Sequence, residues 1–413
     1  MAKFGYIGLG GRGIGMLKNL LECFKDKIEI VAVCDLMEER IEDARKVFEE
    51  NSVEMPFTTT DEDEFFNVEM DGVFIMTYWE THIPLAIKAM KKGIRPGIEV
   101  GGAYSLKECF DLVDTYEQTG IHVMMLENCC YGKNELSVLK MVREGIFGKV
   151  VHCSGGYHHE LLYEISHGVQ RKHYRLRNYI TRNCENYPTH ELGPIAKVLN
   201  INRGNRMLQL NSVASKSAGL AEYVKEHQDT LSHLNDTVFN QGDIITTIIT
   251  CANGETITLT LDTTLPRFYS RGFTVRGTKG SFFEDGDTYY LEAERKEYEK
   301  DCEWIHFHWQ KKYGNGEEMK EKYKHPLWEK YGDAAAKSGH DGMDYMVLAA
   351  FIECVEKKAI PPIDTYDTAS WMAITPLSEQ SIKMGGAPVA IPDFTRGKWA
   401  MKREVDDLEF RLD

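Results

Sequence analysis

Short apolar runs alternate with amphipathic stretches through the first 130 residues. "KFGYI" predicts a short buried strand. After a glycine-rich turn comes an amphipathic helix, with Ile14, Leu17, Leu20 and Leu21 at helical spacing. "IEIVAVCD", ending at Asp35, predicts a second buried strand, and "MEERIEDARKVFEE" the helix after it. "DGVFIMT" predicts a third strand, "HIPLAIKAMKKG" a helix closing at Gly93, and "IRPGIEV" a fourth strand. The helix "SLKECFDLVDTYEQTG" and the strand "HVMMLEN" complete the series. Buried strands alternating with helices of about ten to fifteen residues predict right-handed βαβ units and a parallel, doubly wound sheet. The expected unit is an α/β Rossmann domain over 1–130.

Beyond that point the period changes. "ELSVLKMVREGIFG" predicts a helix. "KVVHCSGGYHH", "DIITTIITCANGETITLTLDTT", "RGFTVRGTKGSFFED" and "DTYYLEAE" then read as strands, with "ANGE" and "GTKG" as turn signals. This predicts a C-terminal α+β domain over 131–413 with a large, mostly antiparallel open sheet, serving substrate binding and oligomerisation. "MDYMVLAAFIECVEKK" and "TASWMAITPLSEQSIKMGG" read as two late helices, and the second, about 366–384, is a candidate to pack back on the first domain. Segment 291–335, charged and aromatic, reads as a surface excursion.

Composition narrows the partners. The chain has 413 residues, 42% hydrophobic and 27% charged, ordinary for a globular protein and enough for two cores. A net charge of -15 with no basic tract argues against nucleic acid and against an anionic membrane. "MAKFGYIGLGGRG" enters a strand at once, with no signal-peptide pattern, and no apolar run is long enough to span a bilayer, so a cytoplasmic location is expected. The ten cysteines lack any CxxC pair and read as reduced core thiols.

The first turn carries G-x-G-x-x-G as Gly8, Gly10 and Gly13. It lies after a strand and opens a helix, where backbone N–H groups and the helix N-terminus receive a pyrophosphate. Gly11 and Arg12 belong to the same turn. Asp35 ends the second strand, where a carboxylate accepts from a ribose 2′-OH and repels a 2′-phosphate, pointing to NAD. Trp79 and His82 in "TYWETH", Glu99 in "EVGGAYS" and Asn128 in "LENCCYG" follow later strands at the ligand-binding edge, with Tyr131 as a further candidate. Cys129 and Cys130, side by side, read as core packing.

The order of domains resembles the Gfo/Idh/MocA oxidoreductases over nearly the whole chain. That superfamily usually ends its fourth strand in Glu-Lys-Pro and carries D-x-x-x-H downstream. Here Glu99, Val100 and Gly101 replace the triplet, and Asn186 stands four residues before His190. "TYWETH", "ENCCYG", "YRLRNYITRN", "NYPTHELGPIAKVLNINRG", "TTLPRFYSRGFTVRGTKG", "GHDGMDY" and "PDFTRGKW" together resemble a narrower group, glycoside hydrolase family 109, the NAD-dependent α-N-acetylgalactosaminidases.

That resemblance implies a hydrolytic cycle on tightly held NAD: oxidation of the sugar C3 hydroxyl, elimination across C1–C2, addition of water and return of the hydride. It implies a retaining-type glycosidase acting on an α-N-acetylgalactosaminide or a related glycoside, with broader specificity open. His190 is the expected base at C3, since histidine titrates near neutrality. Tyr187, Tyr157 and Tyr269 match the family's pocket tyrosines. Which of them removes the C2 proton stays open, with Tyr157 favoured because "GGYHH" follows a strand. Arg175, Arg177 and His340 are candidate substrate contacts, and Arg182 and Asn183 either hold hydroxyls or pair with surplus acids. "HHE" at 158–160 puts adjacent histidines on opposite faces of a strand, and the cycle uses no metal, so none is expected. The expected partners are a small glycoside and further copies of the chain, as homodimer or homotetramer. Two alternatives remain: a net NAD-dependent sugar or cyclitol dehydrogenase, and a non-catalytic NAD-binding regulatory protein.

Overall fold

The apolar runs at the start of the chain form one parallel sheet. The structure is a computed structural model that describes residues 1–295, 314–401 and 406–412. Strands β1 (Ala2–Ile7), β2 (Ile28–Cys34), β3 (Phe57–Thr59), β4 (Gly72–Ile75), β5 (Arg95–Ile98) and β6 (Met124–Met125) lie in the order β3-β2-β1-β4-β5-β6. Every pair is parallel. Helices α1 (Gly11–Phe24), α2 (Glu38–Glu50), α3 (Glu62–Phe65), α4 (Trp79–Lys91) and α5 (Leu106–Thr119) make the connections. The strands are nearly all buried, as a sheet covered on both faces requires. Their carboxyl ends therefore share one edge, where Gly8, Asp35, Trp79, Glu99 and Asn128 gather.

The second sheet has eight strands in the order β13-β12-β11-β7-β10-β9-β8-β14. They are β7 (Val150–His158), β8 (Met207–Ala214), β9 (Ile244–Cys251), β10 (Thr256–Asp262), β11 (Thr274–Gly277), β12 (Gly280–Phe283), β13 (Thr288–Leu291) and β14 (Val389–Ala390). Among the described residues, only β7 and β10 pair in parallel; the remaining pairs are antiparallel. Strict alternation in β10 buries Ile257, Leu259 and Leu261 on one face and leaves threonines on the other. Helices α6 (Lys133–Arg143), α7 (Leu162–Ser166), α8 (Arg175–Thr181), α9 (Thr189–Val198), α10 (Gly219–Glu226) and α11 (Gln228–Leu231) belong to this half. After the residues 296–313, which lie outside the described ones, come α12 (Gly316–Lys322), α13 (Pro326–Ala335), α14 (Met343–Lys357), α15 (Thr365–Met372) and α16 (Ile374–Lys383). The part of the expected surface excursion that is described thus folds into two helices.

One helix expected from the sequence is two. "TASWMAITPLSEQSIKMGG" breaks at Ala373 into α15 and α16. Pro376 has no N–H to give to the carbonyl of Met372, four residues earlier. The freed carbonyl accepts instead from Ala103 N at 3.0 Å, in the loop after β5. The break therefore ties a C-terminal helix to the ligand-binding edge of the first sheet. Proline also shapes α9: Pro194 has no N–H for the carbonyl of His190.

Candidate active site

Four elements from both halves converge on a cluster of aromatic rings. Tyr157 is the last buried inward residue of β7, and Tyr187 and His190 flank the start of α9. Gly155 lets this helix close on the strand, because a Cβ there would stand 2.8 Å from the Cβ of Glu191. The rings of Tyr157 and Tyr187 lie 4.3 Å apart, and that of His190 meets them at 5.7 and 4.9 Å. Trp79, at the start of α4, packs 5.7 Å from Tyr187 and edge-on to Tyr174 at 4.7 Å. Arg175, at the start of α8, is buried with its guanidinium 5.1, 5.8 and 5.0 Å from the rings of Trp79, Tyr157 and Tyr187. Among the described residues its Nη1 has no hydrogen-bond partner, so a buried donor is left for a bound molecule.

His190 has a partner across the domains. Its Nδ1 lies 2.7 Å from Oε1 of Glu127, which follows β6 and is fully buried. Burial pushes the Glu127 carboxyl up, but His190 beside it and the Cys129 N–H outweigh burial and hold the group below the usual carboxylate range. A carboxylate only accepts, so Nδ1 carries the proton and Nε2 is left as the basic nitrogen. Cys129 Sγ completes a buried Glu127–Cys129–His190 trio whose ligand atoms lie within 4.8 Å of one another. Burial raises the Cys129 thiol well above its ordinary value, so it is a protonated side chain rather than a thiolate.

Tyr157 has its own proton partner. Its hydroxyl lies 3.1 Å from Nδ1 of His159. Burial pushes Tyr157 up to about 12, against the lowering effect of Arg175. Burial and then Arg175 lower His159, which is thus neutral near pH 7 and able to accept from the phenol. His158, on the opposite face, packs over Gly156 and Gly272. Tyr269 is half exposed, edge-on to the His159 ring at 5.1 Å, at the outer rim of the cluster.

The cofactor edge has the shape a dinucleotide needs. Gly8 adopts φ +99°, and a Cβ there would stand 2.6 Å from the Met76 backbone; at Gly13 one would stand 2.1 Å from the Gly8 carbonyl. Gly11 faces open space within 4 Å, at the N-terminus of α1, where the first N–H groups have no partner within the helix. Asp35 accepts from Leu9 N and Met37 N at 2.7 and 3.0 Å, which fixes its carboxylate beside the turn. The buried Nε1 of Trp79 and Nδ1 of His82 have no hydrogen-bond partner among the described residues. Gly101, with φ +141°, would place a Cβ 2.3 Å from the Trp79 ring. No Pro or larger side chain fits there, which accounts for the Gly where the superfamily triplet has Pro.

Several candidates stand apart from the cluster. Arg177 is exposed, paired with Glu80 at 2.7 Å and stacked over Tyr78. His340 is half exposed, its Nδ1 3.0 Å from both Asp344 and Arg12, so it sits beside the cofactor turn instead of the tyrosines. Arg12 itself is occupied by Glu99 and Asp344. Arg182 pairs with Glu379, and Asn183 Oδ1 accepts from Gly242 N. Tyr131 is buried, donating to the Phe410 carbonyl. Sequence reasoning missed Glu127, Tyr174, His159 and Asp344. The edge argument that selects Asn128 applies equally to its neighbour Glu127, whereas the pairing with His190, 63 residues on, leaves no local signal.

Comparison with known proteins follows the same division. Residues 131–401 match the family model for the glycosyl hydrolase 109 C-terminal domain, and residues 2–127 match that for the oxidoreductase family NAD-binding Rossmann fold. An α-N-acetylgalactosaminidase of Tannerella forsythia is 39% identical over 97% of this chain and 87% of its own length. Another, of Bacteroides fragilis, is 36% identical over 97% of this chain and 93% of its own. Among solved structures, a levoglucosan dehydrogenase with NADH and levoglucosan has a TM-score of 0.68 at 17% identity, covering 95% of this chain and 99% of that one. The myo-inositol 2-dehydrogenase of Lactobacillus plantarum has a TM-score of 0.63 at 15% identity, covering 95% and 99%.

Proposed function

The chain belongs to glycosyl hydrolase family 109, a glycosidase with an NAD-binding Rossmann domain, and we propose that it cleaves glycosides by transient oxidation and elimination. The substrate is an α-N-acetylgalactosaminide or a related glycoside, the class named for the relatives. The observation that carries the reading is His190, backed by Glu127 from the cofactor domain and set against Tyr157 and Tyr187.

Bound NAD supplies a reversible hydride acceptor for sugar C3. Nε2 of His190 takes the C3 hydroxyl proton, and Glu127 stabilises the imidazolium that forms. The resulting ketone acidifies the C2 proton. Tyr157 takes it while passing its own proton to His159, since a phenol with a pKa of about 12 is a poor base without such an acceptor. The C1 substituent leaves with the proton held on His159, water gives its hydroxide to C1, and the proton that water gives up restores C2. His190 returns the first proton as the hydride returns, so the net change is hydrolysis. Arg175, with an unpaired buried donor, holds a substrate oxygen, and Tyr269 lines the outer rim. Such a site uses no pair of acid and nucleophile carboxylates, and NAD-dependent hydrolases are known exceptions to that pattern.

A panel of nitrophenyl glycosides tests the proposal. The enzyme as purified should release nitrophenol with no net NADH and place solvent deuterium at C2, and His190→Ala should lose about 10²- to 10⁴-fold in rate. Cleavage of none of the panel rejects the hydrolase. Product without deuterium rejects elimination, and stoichiometric NADH from free sugar identifies a dehydrogenase.

A further inference from the structure

One carboxylate that the hydrolytic cycle does not use is more heavily hydrogen-bonded than any group that does. Asp344 opens α14, more than two hundred residues beyond the first sheet, yet its side chain is fully buried against that sheet's cofactor edge. It accepts a two-pronged pair from Arg12, Nη1 at 2.8 Å and Nη2 at 2.9 Å. Asn128 Nδ2 donates at 2.9 Å and Asn19 Nδ2 at 3.1 Å, and Nδ1 of His340 lies at 3.0 Å. The Arg12 and His340 contacts outweigh burial and hold the Asp344 carboxyl well below the usual range, so it is an anion at every working pH.

Two of these groups belong to the cofactor edge. Arg12 opens α1 at the end of the glycine-rich turn after β1, and Asn128 follows β6. Through its Nε, at 2.9 Å, Arg12 also holds Glu99 after β5. The loops after β1, β5 and β6 are thereby braced by one anion delivered from the other half of the chain. The brace is held in place by an unusual backbone. His340, Asp341 and Gly342 take φ of +51°, +53° and +93°, a left-handed run that side-chain-bearing residues adopt at a cost, though Asp and His tolerate it better than most. Gly339 is closed off as well, since a Cβ there would stand 2.6 Å from Asp344 Oδ2. Strain of this kind persists only where surrounding contacts over-determine it.

We propose that Asp344 is a clasp that keeps NAD resident: by bracing the loops after β1, β5 and β6 it prevents the crevice from opening, so the cofactor is a fixed part of the protein rather than an exchanging cosubstrate. Its role is positioning, through Arg12 and Asn128. A cycle that must return its hydride requires such retention, but the clasp rests only on the NAD-binding domain and not on the glycosidase chemistry.

Retention is measured directly. Desalted wild type should carry NAD, released on denaturation and read by absorbance. Asp344→Asn, of the same shape, should release NAD about tenfold to a hundredfold faster, by analogy with the loss of an outer support at metal sites. Excess NAD should then restore its thermal stability to the holoprotein level. A folded Asp344→Asn protein that keeps NAD as wild type does overturns the clasp, and so does a wild type that loses NAD on desalting. Should Asp344→Asn fail to fold, the Asn19→Ala, His340→Ala double variant, which removes two of the bonds from outside the cofactor loops, decides the matter by the same release rate. Nitrophenol release, assayed separately with added NAD, judges the glycosidase reading whatever the retention result.

Discussion

His190 shows how one substitution moves a whole support. The superfamily pattern would put a carboxylate four residues before the histidine, and this chain has Asn186 there. The acid that orients His190 comes instead from Glu127, across the domain boundary, at 2.7 Å. An orienting carboxylate fixes the tautomer and stabilises the cation that forms when the base is loaded. Glu127→Gln keeps the shape and an acceptor for Nδ1–H but removes the charge. The expected result is a fall in kcat of about 10²- to 10⁴-fold, with NAD content and melting temperature little changed. Steady-state rates beside a thermal melt check it, and a kcat near wild type would remove Glu127 from the mechanism.

At the scale of elements, the first sheet was legible because fully buried parallel strands read as unbroken apolar runs, and the edge rule then placed Gly8, Asp35, Trp79, Glu99 and Asn128. Tyr157, Tyr187 and His190 were legible as motif residues, and the structure brings them within 5.7 Å of one another, ring to ring. The break at Pro376 was missed because the apolar period continues through it, and the brace from Asp344 because side-chain pairing over 332 residues has no periodicity to betray it. The approach to α9 holds another such case. Glu185 and Glu191 are buried, and among the described residues none of their carboxyl oxygens has a hydrogen-bond partner. Burial pushes Glu185 up to about 8; burial and then the charge of Glu185 push Glu191 up too. The folded-state value of Glu185 lies above the unfolded one of about 4.3, so the folded chain binds the extra proton between the two. That contribution to stability is complete below the unfolded value and is lost as pH rises through about 8. Melting temperature should therefore fall from about pH 5 to about pH 8, as the unfolding free energy drops by at most about 1.4 kcal/mol per pH unit for each group. Glu185→Gln, neutral at every pH, should flatten the curve. An unchanged slope would show that Glu185 is ionised in the folded protein.

Two sheets in one chain would ordinarily give two units that melt apart, since interfaces between domains are usually modest and polar. Here the links across the boundary are numerous and buried. Glu127 meets His190, Arg12 meets Asp344, Ala103 donates to Met372, and Val123 N donates to Thr365 Oγ1 at 3.1 Å. The apolar core is continuous as well: Phe4 and Phe74 of the first sheet pack on Phe351 of α14, with ring centres 5.9 and 5.0 Å apart. Unfolding the first sheet alone would strand Phe351, Asp344 and His190 without their partners, and a buried charge stripped of its partner costs about 3–5 kcal/mol. Unfolding the second half alone would leave Glu127 and the β6 edge in the same condition. Calorimetry of the holoprotein should therefore show one transition with equal calorimetric and van't Hoff enthalpies. Removal of NAD should lower its midpoint without splitting it, because a ligand of the folded state adds stability to the whole cooperative unit. Two resolved transitions, of which only the first moves with NAD, would mean that the boundary contacts do not couple the halves.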